Sequence, residues 1–154
     1  MAKFPTEVER SIDVRVPAEK AYAFLWDVVG SARCIPGIDR CDGAGADTYR
    51  FLYQERSAGP VSMTVRYTSR YETNGRDEIS FESVAANDDN TDAAGTIRIV
   101  PTATGSRITL RQRLAPDTPV PRLVQGMIRS FVEREAEKGV DEYLANVKRA
   151  LETA

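Results

Sequence analysis

Turn-forming clusters break the chain at hairpin spacing between residues 38 and 114, and beyond residue 121 no such cluster occurs. The clusters are Asp42-Gly43-Ala44-Gly45, Ala58-Gly59-Pro60, Asn74-Gly75-Arg76-Asp77, Asn87-Asp88-Asp89-Asn90 and Thr104-Gly105. Connections this short cannot carry a parallel crossover, so the strands between them pair antiparallel. Strands are predicted over 38–41, 48–54, 61–72, 78–85, 95–100 and 107–114. A further strand precedes them, where Val8, Arg10, Ile12, Val14 and Val16 alternate with Glu9, Ser11, Asp13 and Arg15.

Helical spacing brackets this run of strands. Pro17 ends the first strand and suits a first helical turn, and Ala21, Phe24, Leu25 and Val28 then form one apolar stripe. Gly30 loosens the chain, a second short helical turn follows, and Ile35-Pro36-Gly37 reads as a bend. Pro116, Pro119 and Pro121 close the strands. From 121 to 151 only Gly126 and Gly139 interrupt the pattern, which predicts a helix of about 30 residues and about 45 Å. The sum is an α+β chain with seven antiparallel strands, one or two short helices after strand 1 and a long C-terminal helix. At 154 residues it fits a single domain, 1–154.

Composition removes whole classes of chemistry. The chain has no histidine, which excludes Ser-His-Asp and Cys-His nucleophile activation, imidazole-ligated zinc and proximal-histidine haem within it. No metal site and no cofactor are expected. Cys34 and Cys41 lack a CxxC spacing and are expected as reduced thiols. The 21 Lys+Arg against 23 Asp+Glu argue against a basic nucleic-acid binder. The longest apolar run, Ala21 to Trp26, is too short to span a bilayer, and no apolar stretch follows Lys3 to make a signal peptide. A soluble cytoplasmic chain, monomer or homodimer, is expected.

Alternation assigns the two faces of the sheet. Tyr49, Phe51, Tyr53, Val61, Met63, Val65, Tyr67, Ser69, Tyr71, Ile79, Phe81, Ser83, Ile97, Ile99, Ile108, Leu110 and Gln112 share the inner face. Leu123, Val124, Met127, Ile128, Phe131, Tyr143, Val147 and Leu151 of the last helix are expected to pack on it. Single inward tyrosines can sit at strand ends with wet hydroxyls. Taken with Ser69 and Gln112 in mid-strand, the set points to a partly wet pocket, since a dry core would favour plain hydrocarbon. Glu135 continues the Ile128–Phe131 stripe. It reads either as a desolvated acid able to move a proton or as part of a solvated, ion-paired stretch with Glu133, Arg134, Glu137 and Lys138. Arg66, Arg70, Arg98, Arg107, Arg111 and Arg113 fall on the outer face, with Glu72, Asp77, Glu78 and Glu82 placed to neutralise them across strands.

Three stretches resemble one superfamily. Val16-Pro17-Ala18-Glu19-Lys20-Ala21-Tyr22-Ala23-Phe24-Leu25, Cys34-Ile35-Pro36-Gly37 and Tyr143-Leu144-Ala145-Asn146-Val147-Lys148-Arg149-Ala150-Leu151 are similar to the first helix, the Cys-x-Pro-Gly step and the closing helix of the SRPBCC (START-like) superfamily. The likeness is to polyketide cyclase/dehydrase-like members, near the branch that holds the small accessory protein of carbon monoxide dehydrogenase. It implies the helix-grip fold, a curved sheet wrapped around the last helix, and a cavity for hydrophobic small molecules. Binding or transport of an aromatic or lipid-like molecule is the function expected. Trp26, Tyr53, Met63, Tyr67, Tyr71, Phe81, Gln112, Met127 and Phe131 are the expected lining. The alternatives are a polyketide cyclase/dehydratase using Tyr67, Tyr71 and Glu135, and an accessory protein docked on a larger enzyme.

Overall fold

The protein is described from a computed structural model covering residues 2–86 and 88–153; Asn87 of the fourth predicted turn lies outside them. The elements run β1 (Ala2–Lys3), β2 (Thr6–Val14), α1 (Ala18–Trp26), α2 (Val28–Ser31), a 3₁₀ turn (Ala32–Cys34), β3 (Ile38–Gly45), β4 (Thr48–Tyr53), β5 (Arg56–Ala58) and β6 (Val61–Met63). They continue with β7 (Arg66–Thr73), β8 (Glu78–Ser83), β9 (Thr91–Thr102), β10 (Gly105–Thr118), a 3₁₀ turn (Arg122–Val124) and α3 (Gln125–Glu152).

All strand pairs are antiparallel, in the order β10-β9-β8-β7-β4-β3. The free edge of β10 is taken first by β2 and then, beyond it, by the two residues of β1. The seven expected strands are therefore present, and β1 adds an eighth. One expected strand is broken. Residues 61–72 divide into β6, which pairs only with β5 as a separate hairpin, and β7 in the main sheet. The break has a visible cause: the Asn90 side chain donates to the Thr64 carbonyl and accepts from the Arg66 N–H, replacing ladder partners there. Face parity survives the break, because Val61, Met63, Tyr67 and Ser69 are all buried while Ser62 and Arg70 are exposed.

Helix α3 is 28 residues long, about 42 Å at the usual rise. Its C-terminal half buries Val140, Leu144, Val147 and Leu151 against β2, α1 and strands β8–β10. Its N-terminal half rests on a smaller cluster of Phe4, Ala58, Val61, Met63, Ile128 and Val132, built largely by the β5–β6 hairpin. A third cluster, around Phe51, Tyr67, Val28, Ala32 and Ala93, packs α2 and the 3₁₀ turn that follows it against β4, β7 and β9. The outer face carries an ion-pair lattice, with Arg98 on Glu78, Arg70 on Glu82, Arg107 on Asp13 and Arg111 on Glu7. The partners from β2 are an addition to the expected set, because sequence alone does not say which strand borders β10.

Candidate functional site

Where the three apolar clusters meet, they leave a cavity of about 200 Å³ between the sheet and α3. Phe81, Ile97 and Leu110 come from the first cluster, Met63 and Val132 from the second, and Phe51 and Tyr67 from the third. Aromatic packing shapes the wall. Phe51 stacks on Tyr67 at 4.9 Å and Tyr71 on Phe81 at 5.3 Å, while Tyr49 meets Tyr71 edge-on at 5.6 Å from behind the lining.

Several polar groups of the wall have no partner in the protein. The Tyr53 and Tyr67 hydroxyls bond to each other at 3.0 Å, so one proton of the pair is used and the other remains free to donate. Among the described residues, the hydroxyls of Tyr71 and Tyr143 and the amide of Gln112 make no hydrogen bond to the protein, although all three residues line the cavity. Burial makes the phenolate costly, which pushes Tyr53 up to about 12 and Tyr67, Tyr71 and Tyr143 above the usual range. Neighbouring Tyr143 and Tyr53 add to the effect at Tyr71. These phenols are therefore neutral O–H donors near pH 7. Burial likewise raises both thiols, with Cys41 at about 11, so neither free cysteine is an activated nucleophile.

Raised phenol values have a consequence for stability at high pH. Above the ordinary value of 10.0 an unfolded chain releases phenolic protons that the folded chain retains, so stability is full below that pH and falls as pH climbs towards 12. Urea unfolding between about pH 9 and about pH 11.5 is expected to show this decline. Tyr53→Phe should flatten the slope, and an identical slope in that variant would refute the assignment.

The rim is charged but balanced. Arg56 of β5 meets Glu135 of α3 at 2.6 Å, and Lys138 meets Glu142 at 3.9 Å. All four residues lie at the cavity. Arg56 also covers Gly37, where a Cβ would come within 3.3 Å of its guanidinium and φ is +76°, a backbone state that side chains resist. One arginine thus joins the 35–37 bend, the hairpin and α3. Glu135, 33 % exposed, pairs across to the hairpin rather than with a charge on its own helix.

The structure brings Tyr53, Met63, Tyr67, Tyr71, Phe81, Gln112, Phe131 and Glu135 together at the cavity. Two residues expected in the lining lie elsewhere. Trp26 stacks on Tyr22 at 6.5 Å, next to the first cluster and away from the cavity. Met127 is 49 % exposed and lies over Gly59 at the hairpin tip, because the hairpin, not the main sheet, faces the start of α3. Leu123, expected to pack on the sheet, is 98 % exposed for the same reason. Tyr143, Arg56 and Gly139 join the lining without having been expected there. Tyr143 is readable as an inward helix residue, and Gly139 as a glycine that costs about 1 kcal/mol in a helix without serving a turn.

A curved antiparallel sheet gripping one long helix, with an apolar, tyrosine-bearing cavity between them, defines the helix-grip fold. Within it, the chain belongs to the family described as polyketide cyclase / dehydrase and lipid transport, whose profile matches residues 5–152. Three solved structures are similar in fold. The protein TTHA0849 of Thermus thermophilus has TM-score 0.68 and 18 % identity, with 96 % of each chain covered. The Zhui aromatase/cyclase of Streptomyces sp. R1128 has TM-score 0.67 and 18 % identity, covering 96 % of this chain and 94 % of that one. The di-domain ARO/CYC StfQ of the steffimycin biosynthetic pathway has TM-score 0.64 and 19 % identity, covering 97 % of this chain and 51 % of that one. No curated protein matches the sequence. Among the described residues no helix is long and apolar enough to cross a membrane.

Proposed function

We propose that the chain binds a small, uncharged, largely apolar molecule, aromatic or lipid-like, that carries a carbonyl or hydroxyl oxygen. The observation that carries this reading is the set of unspent donors, Tyr71, Tyr143, Gln112 and one proton of the Tyr53–Tyr67 pair, in a cavity whose wall is mostly apolar and aromatic. A ligand oxygen that accepts from one of these donors gains a hydrogen bond inside an apolar wall, a net contribution of about 0.5–1.5 kcal/mol each. Size sets a bound: a cavity of roughly 150 Å³ admits one benzene ring, so about 200 Å³ takes a compact ligand of one or two rings. Carboxylates and amines are disfavoured, since the charged residues at the cavity, Arg56, Glu135, Lys138 and Glu142, are already paired with one another.

Thermal shift and native mass spectrometry over a panel of neutral aromatic ketones, phenols and short-chain lipids test the proposal. A ligand at a hundredfold excess over its Kd adds about 2.7 kcal/mol, or roughly 5–11 °C in melting temperature for a chain of this size. Tyr71→Phe with Tyr143→Phe should weaken an oxygen-bearing ligand about tenfold or more and leave its deoxy analogue unaffected. No retained mass and no shift with any member of the panel would sink the reading.

A second reading, cyclisation and dehydration of a poly-β-keto chain, draws on the same neutral phenols as carbonyl polarisers. It is suggested by the aromatase/cyclase neighbours. Its proton acceptor would be Glu135, held by Arg56 at the mouth. Turnover that persists in Glu135→Gln removes that role.

A further inference from the structure

The cavity meets solvent at one place. Of the residues that line it, Gln54, Arg56 and Lys138 are exposed, and the others are buried or half-buried. Gln54 and Arg56 stand at the base of the β5–β6 hairpin, and Lys138 stands in the middle of α3 with Glu135 and Glu142 one turn to either side. The opening therefore lies between the hairpin base and α3. The 35–37 bend forms its edge, where the Gln54 N–H donates to the Gly37 carbonyl at 2.9 Å.

One side chain spans that opening. Arg56 starts on β5, and its Nη1 donates to Glu135 Oε2 of α3 at 2.6 Å. Its Nη2 lies against Gly37, within 3.3 Å of where a Cβ would stand. Among the described residues no other ion pair joins the hairpin to α3. Glu55, next in sequence, is exposed and outside the lining, and Lys138 is turned to Glu142 at 3.9 Å. The backbone around the opening is held in place. Tyr53 N–H donates to the Val65 carbonyl at 3.0 Å, Asn90 clamps Thr64 and Arg66, and Val61 packs with Ile128 and Val132. Arg56 is the part free to move, because exposed side chains change rotamer fast and an exposed ion pair is weak.

We propose that Arg56 is the gate of the cavity. Closed on Glu135 and Gly37 it bars the opening, and a ligand enters or leaves when the guanidinium swings into water. The proposal rests on the cavity being a binding site and adds how that site is reached.

Thiol labelling tests it on the full chain without a ligand. Val140 lines the cavity at 2 % exposure, and Val140→Cys places a thiol of similar size on the wall. Methyl methanethiosulfonate, a small neutral reagent, reports how often position 140 is reached, with the labelled sites read by peptide mass. Adding Arg56→Ala should raise the rate about fivefold, the weight of an exposed ion pair. Glu135→Gln should raise it by a smaller factor, because Gly37 still seats the guanidinium. Salt at about 1 M should speed labelling when Arg56 is present and leave the Arg56→Ala form unchanged. Cys34, buried and outside the lining, is the internal control, and its rate should be the same throughout. Gly139→Cys, where a Cβ meets open space, repeats the measurement from the neighbouring position should Val140→Cys unfold. Equal rates with and without Arg56 overturn the proposal. So does a parallel rise at Cys34, which would mean a loosened fold. Absence of labelling at both positions in every variant overturns it too, because the opening then admits nothing. Failure of every ligand in the panel leaves these rates unchanged, so the two readings fail separately.

Discussion

Gly139→Phe is expected to abolish uptake of cavity ligands while the fold becomes slightly more stable. Gly139 lies on the cavity-facing ridge of α3, three and four residues beyond Ala136 and Glu135 and four before Tyr143, and a Cβ there meets nothing within 4 Å. A phenyl ring grown from this position enters a space of about 200 Å³ without displacing backbone. Phenylalanine exceeds glycine in helix propensity by roughly 0.4 kcal/mol, and ring burial adds on the order of 1 kcal/mol. Melting temperature should therefore rise by roughly 3–6 °C while affinity for any ligand found in the panel drops about a hundredfold or more. Opposite signs in the two readouts separate occlusion from damage. Retained affinity in the variant would mean that ligands bind elsewhere, and a fall in melting temperature would mean that the space is closed in solution.

Gly95→Ala should have the reverse character, a large loss of stability from one methyl group. A Cβ on Gly95 would lie 2.2 Å from the Arg111 carbonyl oxygen and 2.7 Å from the Phe81 ring. The ring can swing away, but the carbonyl belongs to β10, which pairs with β9 over Gly105–Pro116. Relief would require the sheet to flatten where it bends around the cavity. The expected loss is about 3 kcal/mol, or roughly 6–12 °C in melting temperature. Gly43→Ala, where added bulk meets open space, is the control and should change little. Equal melting temperatures for the two variants would show that the close approach at Gly95 is not required.

Much of this architecture is legible in the sequence because its signals are local. Turn clusters, period-two alternation and an uninterrupted helical stripe deliver seven of the main-sheet strands, the antiparallel pairing and the inner face, down to Ser69 and Gln112 in mid-strand. The cavity residues on β4, β7, β8 and β10 follow from parity alone. What escapes depends on partners distant in sequence. Asn90 breaks the 61–72 strand from 24 residues downstream of Arg66, and no local pattern in 61–72 announces it. The separated hairpin then slides under the start of α3, which leaves Leu123 and Met127 outside a core that their spacing promises. Trp26 borders the apolar stripe of α1, and nothing in that stripe shows that its indole turns towards Tyr22. Arg56 is unremarkable in sequence, and only the approach of Gly37 and Glu135 in space gives it a position at the rim.

The neutrality of the cavity also bears on rates. Its phenols carry no charge near pH 7, and the rim charges cancel in two pairs, so no long-range field draws a solute inward. Arrival at the mouth is then set by how readily a molecule leaves water, and all ligands of similar hydrophobicity arrive with similar frequency. Discrimination falls to residence time: a molecule whose oxygen meets the free hydroxyls stays, and one that only fits the hydrocarbon leaves.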